Sequence, residues 1–235
     1  MITDLDWGAP GARTLAAVST VVVVVDVLSF TTTLTVAADH GIAVRPYPWR
    51  DPTAAAFARD HDATLAAGRH APGPISLSPA TIRAAHGIDR LVLPSPNGSA
   101  ISSLLAEHPG PVLGVSLRNA PAAAARIATL PPGTRVAVIA SGEHRPDGSL
   151  RPAVEDLWGA GAFLHHLPAA THTPSPEAGA AIAAYERVAD NLRAALRACV
   201  SGRELIGNGF PQDVDVAAES GASTTIPTLR DGWYS

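Results

Sequence analysis

Up to Ala140, short apolar runs rich in β-branched residues alternate with alanine-rich runs of helical character. The most extreme is Val21–Val25, five consecutive valines closed by Asp26. A strand buried on both faces reads as a continuous apolar run rather than an alternating one, so the valines predict a strand inside a parallel sheet. On the same reasoning strands are predicted near Val18–Val27, Ile42–Pro46, Ala63–Ala66, Arg90–Leu93, Val112–Val115 and Arg135–Ala140. Helices are predicted near Thr31–Ala38, Thr53–Arg59, Ala80–Ala85, Ser99–Ala106 and Ala120–Thr129. Strands alternating with helices predict an α/β fold, with a largely parallel sheet flanked by helices.

The character changes after Ser141. SGEHRPDGSLRP is polar and broken by glycine and proline, and the sequence that follows is mostly helical, with Ser175 set to cap a helix after Pro174. This predicts a sheet region over 1–150 and a more helical region over 151–235 that completes the same site, with a soft boundary between them. The tail from Thr224 to Ser235 reads as a short TTIPTL strand and an exposed end, and no internal repeat is evident.

The chain has 235 residues, 46% of them hydrophobic, yet no run approaches the ~20 apolar residues of a membrane span. The start, MITDLDWGAPGAR, is acidic and Gly/Pro-broken, unlike an export signal. The single cysteine, Cys199, fits a reducing cytoplasm and a packed side chain. All 17 basic residues are arginine, which excludes a P-loop lysine, a Schiff-base lysine and a lysine general base. Those arginines are scattered, so with a net charge of −4 nucleic-acid binding has little electrostatic support. An anionic ligand must be held by arginine, by backbone N–H groups or by a metal.

Ligands of parallel α/β sheets gather outside the carboxyl ends of strands. Three segments place polar residues there: Asp26, the SPNGSA segment Ser95–Ala100, and SGE at Ser141–Glu143. Asp26 is a turn or cap residue on the plain reading. On the sharper one it holds a divalent cation against a phosphate bound by Thr31 and Thr32 at the following helix start. Asn97 and Gly98 permit a turn that points N–H groups at an anion, with Ser99 as cap, and an ordinary tight turn explains them equally well. Glu155 and Asp156 open a helix, where the macrodipole favours acids, and one of them facing inward completes a metal site. The histidines form no convincing site, and G-x-G in SGRELIGNGF lacks a preceding strand.

Taken in order, these segments resemble the 2-phosphosulfolactate phosphatases of the coenzyme M pathway. VDVLSFTTT is similar to that family's I-D-V-L-R-A-S/T-T-T, and SPNGS to its T-T-N-G-T. VEDLWGAGAF matches L-E-D-L-x-x-A-G, GRELIGNGFPQDVDVAAE matches G-R-x-L followed by D-(V/I)-x-x-A-A, and TTIPTL takes the place of a closing V-P-like strand. The resemblance spans about residues 18 to 229. It implies a cytoplasmic, Mg2+-dependent phosphatase acting on the phosphate ester of a small acidic 2-hydroxy acid. By position it implies Asp26, Asn97 and Glu155 as catalytic residues, and Asp26 with Glu155 or Asp156 as metal ligands. Thr31, Thr32, Arg69, Gly98 and Ser99 would then bind substrate, the Asn97–Ser99 backbone cradling the phosphate.

Three places depart from the pattern. Ser29 stands where the family has arginine, Ala67-Gly68-Arg69 replaces G-E-R, and Gly73–Pro79, with Ser76, shortens an acidic loop. A missing charge-assisted hydrogen bond costs about 1.5–3 kcal/mol. A relative with altered substrate and a non-catalytic small-anion binding protein on the same scaffold both satisfy these departures. The expected partner is a small phosphorylated anion, not nucleic acid or membrane, and the apolar helical half is compatible with a homodimer.

Overall fold

The computed structural model describes residues 1–49, 51–71, 73 and 75–235; Pro74, within the shortened loop noted above, lies outside the described residues. The chain begins β1 (Ile2–Trp7), α1 (Gly8–Ala16), β2 (Val21–Val25), α2 (Phe30–Asp39), β3 (Ala43–Tyr47), α3 (Thr53–Asp60) and β4 (Thr64–Leu65). It continues α4 (Pro79–Arg83), β5 (Arg90–Pro94), α5 (Gly98–Leu104), β6 (Val112–Val115), α6 (Ala120–Ile127) and β7 (Arg135–Ala140). A hairpin of β8 (Glu143–His144) and β9 (Leu150–Arg151) leads to α7 (Val154–His165), β10 (Thr173–Pro174) and α8 (Pro176–Glu186). The chain ends α9 (Leu192–Ala198), α10 (Val200–Gly207), α11 (Pro211–Ala217), β11 (Thr228–Arg230) and β12 (Trp233–Tyr234).

Ten strands form one sheet in the order β10-β1-β7-β2-β6-β11-β12-β3-β5-β4. Two parallel blocks, one around β2 and one around β5, are joined by the antiparallel β11–β12 hairpin. Strands from both sides of residue 150 therefore share the sheet. Val21, Val23 and Val25 face a cluster with Ala123, Phe163 and Leu196, while Val22 and Val24 face Phe30, Leu34 and Ile101. Side chains alternate across a strand, so the valine run serves two helix-covered faces at once.

Two segments differ from the sequence reading. The N-terminal residues form β1 and α1: β1 pairs in parallel with β7 over its full length, a long-range partner that compensates for the acids in ITDLDW. The tail is not exposed at Tyr234, which is buried, shares a hydrogen bond of 2.9 Å with Ser102 and meets Phe30 edge-on at 6.1 Å. The predicted TTIPTL strand is shorter, covering Thr228–Arg230. Ser175 caps α8, accepting from the Ala178 N–H as expected. Cys199 is buried, with its thiol pushed up to about 12 by burial and by the nearby Glu155 carboxylate. Among the described residues no helix is long and apolar enough to cross a membrane.

Candidate active site

The loop after β2 is built around the Asp26 carboxylate. Oδ1 accepts the Phe30 N–H at 3.2 Å, and Oδ2 accepts the Gly98 N–H, from the start of α5, at 2.9 Å. The second bond ties together loops from the two blocks of the sheet. Their close approach explains Gly98: a Cβ there would lie 2.3 Å from Phe30 Cδ1 and 2.8 Å from Asp26 Oδ2. Burial, then the Glu143 carboxylate, raises the Asp26 carboxyl to about 7, although both N–H groups pull it down. Such a group exchanges its proton near neutral pH.

Glu143, at the start of the β8–β9 hairpin, accepts from Asn97 Nδ2 at 2.8 Å, and His144 Nδ1 donates to Asn97 Oδ1 at 2.7 Å. Asn97 is thus fixed in orientation from both ends. Burial raises the Glu143 carboxyl above its ordinary value against the pull of Asn97. Asp26, Asn97 and Glu143 wall a cavity of about 210 Å³ together with Ser29 and Arg69. Arg69 donates from Nε to Asp213 at 2.9 Å and from Nη2 to Ser29 at 2.6 Å. Asp213 is buried and accepts a second hydrogen bond from Ser78, so the guanidinium is held by a partner that has no other place to go. The cation at this end of the cavity therefore reaches over Ser29 from position 69.

The remaining residues expected at the site serve different ends. Thr31 and Thr32 are fully buried and donate their hydroxyls to the Asp26 and Val27 carbonyls at 2.8 and 2.7 Å, bracing the loop from behind. Ser99 donates to the Leu93 carbonyl at 2.7 Å, and the Gly98 N–H is the one held by Asp26. These groups shape the cavity wall from within. Asp156 accepts the Val27 N–H at 2.7 Å and the Gly142 N–H at 2.8 Å, binding two site loops to α7. Its carboxyl is held well above the ordinary range by burial and by the Asp26 and Glu155 charges. Glu155 is buried, and its Oε2 has no hydrogen-bond partner among the described residues.

Four carboxylates, Asp26, Glu143, Glu155 and Asp156, thus repel one another in low dielectric, the chemistry that a hard dication relieves. Among the described residues no three His, Cys, Asp or Glu side chains gather at metal-ligand spacing, the trio Asp26, Glu155 and Asp156 included. Magnesium commonly takes only one or two carboxylates and completes its shell with water and substrate phosphate, so the donor set still fits it. Asp213, Glu143 and Ser29 carry weight at the site without having been assigned roles from the sequence. All three lay in segments already singled out, but only three-dimensional proximity shows what each touches.

In this mainly parallel α/β sheet the loops after β2, β5 and β7 meet at one acid-lined cavity, the usual place for a ligand in such folds. The family model described as 2-phosphosulpholactate phosphatase matches residues 10–232. The chain belongs to that family, a family of phosphatases.

Proposed function

We propose that the chain is a magnesium-dependent, 2-phosphosulfolactate phosphatase-like enzyme that hydrolyses the phosphate ester of a small acidic 2-hydroxy acid. The observation that carries the reading is the meeting of Asp26, Asn97, Glu143 and Arg69 on one cavity in a chain of this family. Asp26 and Glu155 would hold the metal, Glu155 through the oxygen left without a partner. When bound, magnesium supplies charge neutralisation at the phosphate and an in-line orientation for water.

Arg69, preset by Asp213, pairs with a phosphate oxygen through the guanidinium edge left free of Asp213 and Ser29. The Asn97 amide, oriented by Glu143 and His144, limits where the ester oxygen can sit. The Glu143 carboxylate takes the proton from the attacking water, a role suited to a raised carboxyl at the cavity wall. The burial of Asp26 and Asn97 strengthens each of these contacts.

A second reading, a small-anion binding protein without catalysis, is favoured by one observation, the absence of a three-donor metal cluster among the described residues. Phosphate release from 2-phosphosulfolactate and 2-phospholactate, followed with magnesium and with chelator, decides between them. Magnesium-dependent release supports the phosphatase. Saturable binding with no release under either condition supports the binding protein.

A further inference from the structure

We infer that the ester taken by this site carries an apolar substituent, aryl or branched alkyl, on its 2-hydroxy acid, seated in a second cavity that adjoins the first; the inference rests on the phosphatase reading above. The inner cavity, about 210 Å³, is below the ~300–1,000 Å³ common for small-molecule sites, and the adjoining one, about 560 Å³, falls within that range. Arg69, Leu77, Leu205 and Asn208 line both, so the two adjoin with the phosphate-facing arginine at the junction.

The chemistry of the outer wall decides what it accepts. Ala54, Leu65, Ala66, Leu77, Pro94 and Phe210 present carbon to it. Its basic side chains among the described residues are Arg69 and His70. Arg69 is already paired with Asp213, and His70 stands edge-on to the Phe210 ring at 5.0 Å. Asp51 adds a negative charge to the same wall. Among the described residues, a sulfonate placed there meets an arginine already paired with Asp213, one histidine and an acid, whereas a phenyl or isobutyl group displaces water from carbon. The cavity therefore selects a substituent by apolar contact and leaves charge recognition to the inner chamber.

The test separates this inference from the reading beneath it by measuring binding and turnover independently. Calorimetric titration in magnesium chloride compares methylphosphonate with benzylphosphonate, which share the charged head and differ in the tail. Burial is worth about fourfold per methylene, so benzylphosphonate is expected to bind at least about tenfold more tightly. Gly68 lines the outer cavity, its φ lies outside the left-handed region, and a Cβ there meets nothing within 4 Å. Gly68→Phe is therefore expected to fill the chamber and erase the benzyl advantage. Phe210→Ala, which thins the wall instead, is expected to reduce it severalfold. Equal affinity of the two phosphonates, no binding of either, or an advantage that survives both variants overturns the inference. Turnover of 2-phospholactate and 2-phospho-3-phenyllactate is read separately. A benzyl advantage with no phosphate release from either ester supports the apolar chamber and removes the phosphatase.

Discussion

Replacing Asp26 with asparagine should make the stability of the metal-free protein cross that of the wild type as pH rises. Asp26 has its carboxyl raised from 3.8 to about 7, chiefly by burial and then by Glu143. A raised carboxyl contributes stability that is fully present below its unfolded value and is lost as pH climbs through its folded value. At about 1.4 kcal/mol per pH unit, Asp26 thus withdraws about 4 kcal/mol in all, of which about 2 kcal/mol falls between about pH 5 and pH 7. Asparagine cannot ionise, so it escapes that loss. Its amide has one acceptor oxygen, however, and the site presents two N–H donors, from Phe30 and Gly98. One buried donor left facing an NH₂ group costs about 1–3 kcal/mol at every pH. Asp26→Asn should accordingly be the less stable protein near pH 4 and the more stable one near pH 8. Urea denaturation of both proteins in chelator across that window measures the difference. Parallel profiles, with the same gap at both ends, would refute the claim that Asp26 is strained by its own charge.

Three further outcomes follow from the same geometry. Asp213→Asn removes the buried anion that holds Arg69, and should lower stability by about 1–3 kcal/mol and raise KM for a phosphate ester more than it lowers kcat, as read by urea denaturation and steady-state kinetics. Gly98→Ala forces a methyl against Phe30 and Asp26, and should cost at least about 1–3 kcal/mol; a thermal midpoint equal to the wild type would contradict the packing. Glu155→Gln removes a carboxylate that raises both Asp26 and Asp156, so the metal-free variant should be more stable than wild type near pH 8, while the rise in Tm on adding magnesium should disappear.

What the sequence disclosed depended on whether a residue's partner was local. The strands Val112–Val115 and Arg135–Ala140 were legible to the residue because a doubly buried parallel strand leaves an uninterrupted apolar run between turn residues. β1 and α1 were not. Asp4 and Asp6 interrupt the strand, and α1 carries Gly11, whose missing Cβ lets Asp6 approach to 2.8 Å of where that atom would be. Tyr234 looked exposed because nothing near it in the chain indicates Ser102 and Phe30.

The site was legible in outline for a similar reason. Asp26, Asn97 and Arg69 do meet at one cavity, as strand-end position and family resemblance implied. The threonines were harder to place, because a hydroxyl at a helix start suits a phosphate and a backbone carbonyl equally well. In Thr31 and Thr32 the carbonyls five residues back are the partners. Arg69 and Asp213 lie 144 positions apart, so no spacing rule joins them. Ser29 looked like a lost cation and is the hydroxyl over which Arg69 reaches.

The central claim is that phosphate is bound and cleaved in the cavity between Asp26, Asn97, Glu143 and Arg69. A crystal structure of the protein grown with magnesium and orthovanadate, which mimics the phosphoryl group in flight, tests it most directly. Vanadate is expected in that cavity, contacting Arg69, with magnesium between it and Asp26. Vanadate and metal bound elsewhere, with Asp26 still facing only the Phe30 and Gly98 N–H groups, would contradict it.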